Sequence, residues 1–241
     1  MEVERRTPSN VLKRREAAAR AGAALQAARA EARARAADAK AYYAEAGRRH
    51  AEAHAAARRE AVERAREARR SGAFFVPAQP RYFFVVRLKG LNKVPPKERK
   101  ILRLLRLRQV HAGVLVRNSR AALSMLRRVE AYVTYGCPSR ESLARLVYKR
   151  GFGRVGGQRI PLTDNRVVEA ALGDVGVRCV EDVVHQLWSC GPHFKRVNAF
   201  LWPFRLDSPR GGLRAKRHQF LAGGDQGPRE DMINSLITAM L

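Results

Sequence analysis

Three groups of residues have types and spacings that could do chemistry. Gly151-Phe152-Gly153-Arg154-Val155-Gly156 fits the GxGxxG spacing, in which glycines let backbone amides approach a pyrophosphate. Cys179, His185, Cys190 and His193 fall within 15 residues and supply the thiols and imidazoles that ligate zinc. The third group mixes cations with rings: Phe194, Lys195, Arg196, Phe200, Trp202, Phe204 and Arg205. Such mixtures neutralise phosphates and offer stacking surfaces to unpaired bases.

The elements around the first two groups do not suit those chemistries. A GxGxxG loop works between a strand and a helix N-terminus. Here a helix opened by Pro138-Ser139 is expected before it, with Leu143, Leu146 and Val147 on its apolar face and Gly151 as its C-cap. A short extended piece, Gln158 to Leu162, is expected after it. The glycines instead suit a basic hairpin, in which Lys149, Arg150, Arg154 and Arg159 approach a phosphate backbone and Phe152 is available to stack on a base. The Cys/His gaps lack the paired short spacings of zinc modules, and Cys179 and His185 fall in or beside a helix. Buried thiols and ordinary polar histidines are expected, with no metal and no cofactor. There is no GxSxG elbow or HExxH, and 12 acids scattered over residues 73–241 suggest no carboxylate pair, so neither catalysis nor a small-molecule substrate is expected.

The charge points elsewhere. The chain has 241 residues, with 48 Lys+Arg against 22 Asp+Glu, a formal +26 that calls for a polyanion, nucleic acid first. Candidate contacts are Lys97, Arg103, Arg106 and Arg108 along one expected helix, the hairpin residues, Arg205, and Arg210, Arg214, Lys216 and Arg217 in a glycine-bearing loop. Phe200 and Trp202 suit a core better than a base. As a set these residues suit structured RNA, read through phosphates, hydroxyls and unstacked bases without a single recognition helix. No apolar stretch reaches the 18 or so residues of a membrane span. Met1 to Arg6 lacks the apolar core of a secretory signal, and three cysteines without a CxxC pair favour a reducing compartment.

Composition divides the chain near Ser71-Gly72. Residues 1–72 hold 25 Ala and 18 Lys+Arg against 10 Asp+Glu, leaving 30 against 12 for residues 73–241. From Glu16 to Arg70, Ala, Arg and Glu predominate without proline, which predicts a long helix of roughly 80 Å if continuous. Leu25, Tyr42, Tyr43 and Val62 follow no heptad, so no coiled coil is expected. A helix that is polar all round has no core of its own and is expected to order on RNA.

Residues 73–136 have the texture of a folded unit. Arg81 to Lys89, closed by Gly90-Leu91-Asn92, predicts a strand. Pro95-Pro96 starts a helix with Ile101, Leu102, Leu104, Leu105 and Leu107 on one face and Lys97, Lys100, Arg103 and Arg106 on the other. A strand from Gly113 to Arg117, a helix from Ser119 to Val129 and a strand from Ala131 to Tyr135 complete β-α-β-α-β, a small sheet with both helices on one face. Residues 137–241 are expected to be mainly helical, with helices at 165–172 and 180–189, an aromatic segment at Phe194 to Phe204, an extended loop from Asp207 to Gly227 and a helix from Glu230 to Leu241. The fold class is α+β.

From Phe83 onward the chain resembles the family of the eukaryotic cytosolic large-subunit ribosomal protein seven, the extended relatives of bacterial large-subunit protein thirty. The resemblance lies in Leu104-Leu105-Arg106-Leu107-Arg108-Gln109, Leu146-Val147-Tyr148-Lys149-Arg150-Gly151-Phe152-Gly153, Leu162-Thr163-Asp164-Asn165, Phe200-Leu201-Trp202-Pro203-Phe204, Ser208-Pro209-Arg210-Gly211-Gly212, and Gly223-Gly224-Asp225 with Arg229-Glu230-Asp231. It implies a ferredoxin-like antiparallel three-stranded core, a long basic N-terminal helix, no catalytic activity, and a place in the cytosolic large subunit reached through the nucleolus. Implied partners are large-subunit rRNA near 5S rRNA, expansion-segment RNA along the arm, and neighbouring large-subunit proteins. Arg106, Arg108, Lys149, Arg150, Arg205 and Arg210 fall on family motifs as rRNA contacts, and Trp202 and Pro203 as fold elements. Gly156-Gly157 depart from the Lys or Asn usual near the hairpin tip. An assembly-factor paralogue acting on nucleolar pre-ribosomes and a basic chromatin protein are the alternatives; the latter explains the charge but not the motifs.

Overall fold

A computed structural model describes residues 9–90, 92 and 94–241, with backbone alone for residues 9–12. Met1 to Arg6, read above as lacking a secretory signal, and Leu91 of the expected strand stop lie outside the described residues. The chain divides into two compact units, Met1–Arg49 and His50–Leu241. Helix α1, Ser9–Arg70, supplies the described part of the first unit, in which residues 13–38 are exposed at every position. Ala, Arg and Glu give it high propensity and no continuous apolar stripe.

In the second unit the elements run β1 (Tyr82–Arg87), α2 (Pro96–Leu104), β2 (Ala112–Arg117), α3 (Arg120–Val129), β3 (Val133–Gly136), α4 (Arg140–Arg150), β4 (Phe152–Val155), β5 (Gln158–Pro161), α5 (Asn165–Leu172), α6 (Val180–Ser189), α7 (Phe194–Phe200), β6 (Phe204–Arg205), β7 (Gly227–Glu230) and α8 (Ile233–Met240). Strand β1 is central and pairs antiparallel with both β2 and β3, the expected three-stranded core. Two short strands widen it: β6 on the β2 edge, antiparallel, and β7 on the β3 edge, parallel, giving the order β6-β2-β1-β3-β7. The final helix therefore starts at Ile233 rather than Glu230, because Gly227–Glu230 is spent on the sheet.

Both faces of this sheet are covered, which is why β1 is apolar at consecutive positions. Val85 and Val114 face Leu102, Leu105, Leu126 and Val129 of the α2–α3 layer. Phe84, Val86 and Leu115 face the opposite layer, with Leu146, Val183, Val197 and Ile237 from α4, α6, α7 and α8. The helices are capped as their sequences dictate: Ser119 accepts from the Ala122 amide at 3.2 Å, Ser139 from Ser142 at 3.1 Å, and Asp164 from Arg166 at 3.0 Å.

Helix α2 departs from the expected amphipathic pattern. It stops at Leu104, which is 65% exposed, and Arg106 lies past its end at φ +61° rather than on its basic face. The Arg106 amide donates to Arg103 O at 3.0 Å and the Leu107 amide to Leu102 O at 2.8 Å, a Schellman turn with arginine where glycine is usual. Leu102 and Leu107, the hydrophobic pair of that turn, are both buried.

Candidate nucleic-acid interface

The glycine-rich segment is a hairpin. β4 and β5 pair antiparallel from Phe152–Pro161 to Val155–Gln158, and Gly156 and Gly157 turn between them at φ +56° and +81°, a conformation open to glycine and costly for other residues. Gly153 answers a different need: a Cβ there would stand 2.5 Å from the Phe200 ring. The hairpin thus seats closely on α7, and the Trp202 amide donates to Phe152 O at 2.8 Å. Gly151 is the C-cap of α4, as expected, in extended conformation.

This seating builds a cleft of about 470 Å³ between the end of α2, the hairpin tip and the α7–β6 segment. Arg103, Arg106, Arg108, Arg154 and Arg205 line it, and Trp202, Pro203, Leu201, Ala112 and Ala199 supply an apolar surface. Among the described residues lining it there is no carboxylate. The cations feel one another: burial lowers the pKa of Arg106 and nearby Arg154 lowers it further, and the same two causes act on Arg159 through burial and Arg205. Close to the loop after β6, burial and then Lys216 lower His111, which Asp207 partly opposes, while burial and then Arg217 lower Lys89. A concave site with repelling cations suits a phosphodiester ligand.

The expected contact residues divide into two kinds. Lys97, Arg103, Arg108, Lys149, Arg154, Arg205, Arg210, Arg214, Lys216 and Arg217 are exposed. Arg106, Arg150, Arg159 and Phe152 are half-buried and already engaged. Arg106 donates to Leu201 O at 2.9 Å and to Asn198 O at 2.9 Å; Arg150 pairs with Asp207; Arg159 covers one face of the Phe152 ring, 3.5 Å from its centre. That contact changes the expectation for Phe152, whose covered face is closed to a base. Trp202, expected as core, is half-buried and lines the cleft, whereas Phe200 is buried.

The segment carrying Arg210, Arg214, Lys216 and Arg217 is not the extended loop expected: it turns at Gly211 and Gly212, contains a 3-10 turn at Phe220–Ala222, and is tied down. The Arg210 amide donates to Ala239 O at 2.9 Å, and buried Asp225 accepts from the Ala215 amide at 2.8 Å and from Arg229 at 2.5 Å. Arg229 also donates to Thr134 at 3.0 Å and lies over the Phe220 ring. Sequence reasoning also missed fully buried Arg87, which donates to the carbonyls of Lys89, Leu107 and Gly90 at 2.7, 2.7 and 2.8 Å. These bonds hold the α2–β2 connection that carries Arg108. Arg117, which lines a second groove with Arg106, Arg154 and Lys195 of the expected aromatic segment, was likewise absent from the expected set. The signal in each case was the charge alone.

The four Cys/His residues have separate tasks. Buried Cys179 caps α6, accepting from the Asp182 amide at 3.4 Å, and burial first of all pushes its thiol up to about 12. His185 stacks on His50, ring centres 4.1 Å apart, and the Cys190 thiol approaches Arg81 O. His193 precedes α7 without a side-chain cap bond.

Comparison with known proteins agrees with the geometry. Residues 83–133 match the family described as ribosomal protein L30p/L7e. The chain is 50% identical over 193 residues to a large ribosomal subunit protein uL30 of Tetrahymena thermophila, covering 80% of this chain and 81% of that protein. It is 42% identical over 241 residues to large ribosomal subunit protein uL30B of Paramecium tetraurelia, covering 100% of this chain and 97% of that protein, so the alignment includes the N-terminal arm. A uL30 of Yarrowia lipolytica is 44% identical over 234 residues, 96% of this chain and 94% of that protein.

Proposed function

Because this chain belongs to the ribosomal protein L30p/L7e family, we propose that it is a structural constituent of the large ribosomal subunit, held on rRNA by the arginine cleft and the basic surface around it. The observation that carries this reading is 42% identity sustained over all 241 residues with a uL30 protein. The chemistry agrees: exposed Arg108, Arg154 and Arg205 neutralise phosphates, while buried Arg87 and half-buried Arg106 hold the backbone that presents them.

In this reading the protein performs no reaction. Its partners are large-subunit rRNA, near the 5S rRNA, and neighbouring large-subunit proteins, with α1 lying along expansion-segment RNA. It works in the cytosolic ribosome and passes through the nucleolus during assembly. Names of subunit constituents among its relatives favour this over an assembly-factor paralogue or a chromatin protein. Sedimentation of the tagged protein through a sucrose gradient tests it. Signal in free large subunits, monosomes and polysomes is expected; signal confined to nuclear precursor particles and absent from polysomes assigns the assembly role instead.

A further inference from the structure

The cleft has more structure than attachment to a duplex requires. A phosphate strand crossing a flat basic face needs cations and no apolar floor. Here Trp202, with Pro203 beside it, lies among Arg103, Arg108, Arg154 and Arg205, in a concavity of about 470 Å³. That volume falls within the roughly 300–1,000 Å³ of sites that enclose a small ligand. A double helix is too thick to enter it, but one nucleotide turned out of a helix is not. Such a nucleotide brings a flat base for the indole and a phosphate for each side of the turn.

The floor is also fixed in place. Arg106 grips the carbonyls of Leu201 and Asn198 on one side of Trp202, and the Phe152 carbonyl receives the Trp202 amide on the other. Gly153, where a Cβ would stand 2.5 Å from the Phe200 ring, lets the strand that carries Arg154 to the cleft lie directly against α7. Phe152, one face of whose ring is covered by Arg159, does not line this cleft, and Trp202 is the aromatic residue among the described ones that do. We infer that the cleft is a receptor for a single unpaired nucleotide of rRNA, stacked against Trp202 with its flanking phosphates held by Arg108, Arg154 and Arg205. This rests on the rRNA-binding reading above and adds to it a specific requirement, an extruded base.

The test uses the full-length chain with Trp188→Phe, so that Trp202 is the sole indole, titrated at low salt with a short blunt-ended RNA duplex and the same duplex bearing one unpaired adenosine. Both RNAs are expected to bind. Only the bulged one is expected to quench Trp202 emission, and to bind roughly ten-fold more tightly. Trp202→Leu is expected to abolish that preference, so that the bulged and the blunt duplex bind alike, and Trp202→Phe to restore it. If Trp202→Leu does not fold, Arg154→Gln at an exposed position must weaken the bulged duplex more than the blunt one. Binding of both RNAs with equal affinity and no change at Trp202 overturns the nucleotide receptor while leaving rRNA attachment intact. Failure to bind either RNA overturns the attachment itself. Adenosine monophosphate is the control: saturation by it at a lower concentration than by the bulged RNA makes the cleft a free-mononucleotide site and overturns the RNA assignment.

Discussion

Arg106 stands at φ +61° with its guanidinium 2.9 Å from the carbonyl oxygen of Leu201, 95 residues along the chain. A left-handed arginine costs about 1–2 kcal/mol against glycine. The two carbonyl bonds to Leu201 and Asn198 offset it. Arg106→Ala keeps the backbone cost and loses the bonds, so it is expected to destabilise the protein by about 2–3 kcal/mol. Arg106→Gly loses the same bonds but relieves the backbone, and its destabilisation is expected to be about 1 kcal/mol smaller. Urea unfolding of the three proteins checks the order. Equal losses for the alanine and glycine variants contradict it.

Asp182 and His54 are expected to shape the response to acid. Burial raises its pKa, but bonds from His50 Nε2 at 2.7 Å and from the Arg178 and Cys179 amides at 3.1 and 3.2 Å outweigh that and hold the carboxyl below its ordinary value. A depressed native value means full stabilisation above the unfolded pKa, near 3.8, and loss as the pH falls through it toward the native one. His54, lowered by burial and then by Arg140 and Arg58, acts in the same direction from about pH 6.5 downward, because the unfolded chain binds the proton more readily. Stability is therefore expected to fall in two steps on acidification. Asp182→Ala, which loses the cap and the His50 bond, is expected to cost roughly 2–4 kcal/mol at pH 7 and to remove the lower step. Thermal melts from pH 7 to pH 3 measure both; a variant with an unchanged lower step rules out Asp182 as its source.

The elements that could be read from sequence were those with a local physical cause. β1 and β2 show as apolar runs because both faces are buried, and α3 shows its start because Ser119 caps it. Strands β6 and β7 were illegible: two and four residues long, they exist through pairing with β2 and β3, and Pro228 makes β7 look like loop. Buried Arg87 was illegible because an arginine in a strand carries no mark of the three carbonyls it meets. For the interface, the cations were visible one by one. Their gathering was not, since the cleft joins Arg103 to Arg154 and Arg205 through the seating of a hairpin on α7. The same gap hid which arginines serve the fold and put Trp202 in the core.

Attachment through exposed arginines predicts a steep dependence on salt. Each phosphate neutralised adds about 0.7–0.9 to the slope of log affinity against log salt. Arg154→Glu and Arg205→Glu, both at exposed positions of the cleft, are each expected to weaken binding to an rRNA fragment and to lower that slope by about one, with little change in melting temperature. Filter binding between low and physiological salt checks this. An affinity that barely changes over that range contradicts phosphate neutralisation as the source of binding.

Helix α1 between residues 13 and 38 is exposed at every position, so no packing protects its hydrogen bonds. Its stability there comes from alanine-rich propensity and from pairs such as Arg35–Glu31 at 3.4 Å, 83% and 70% exposed, each worth a few tenths of a kcal/mol. Such a helix opens and closes through fraying and not through global unfolding. Amides of residues 13–38 are expected to exchange within seconds to minutes in the free protein, far faster than those of β1. On the large subunit, with phosphates along its arginines, the same amides are expected to slow by at least an order of magnitude. Hydrogen exchange read by mass spectrometry on the free chain and on purified subunits checks both halves. Protection of residues 13–38 equal to that of β1 in the free protein shows that RNA is not what orders this helix.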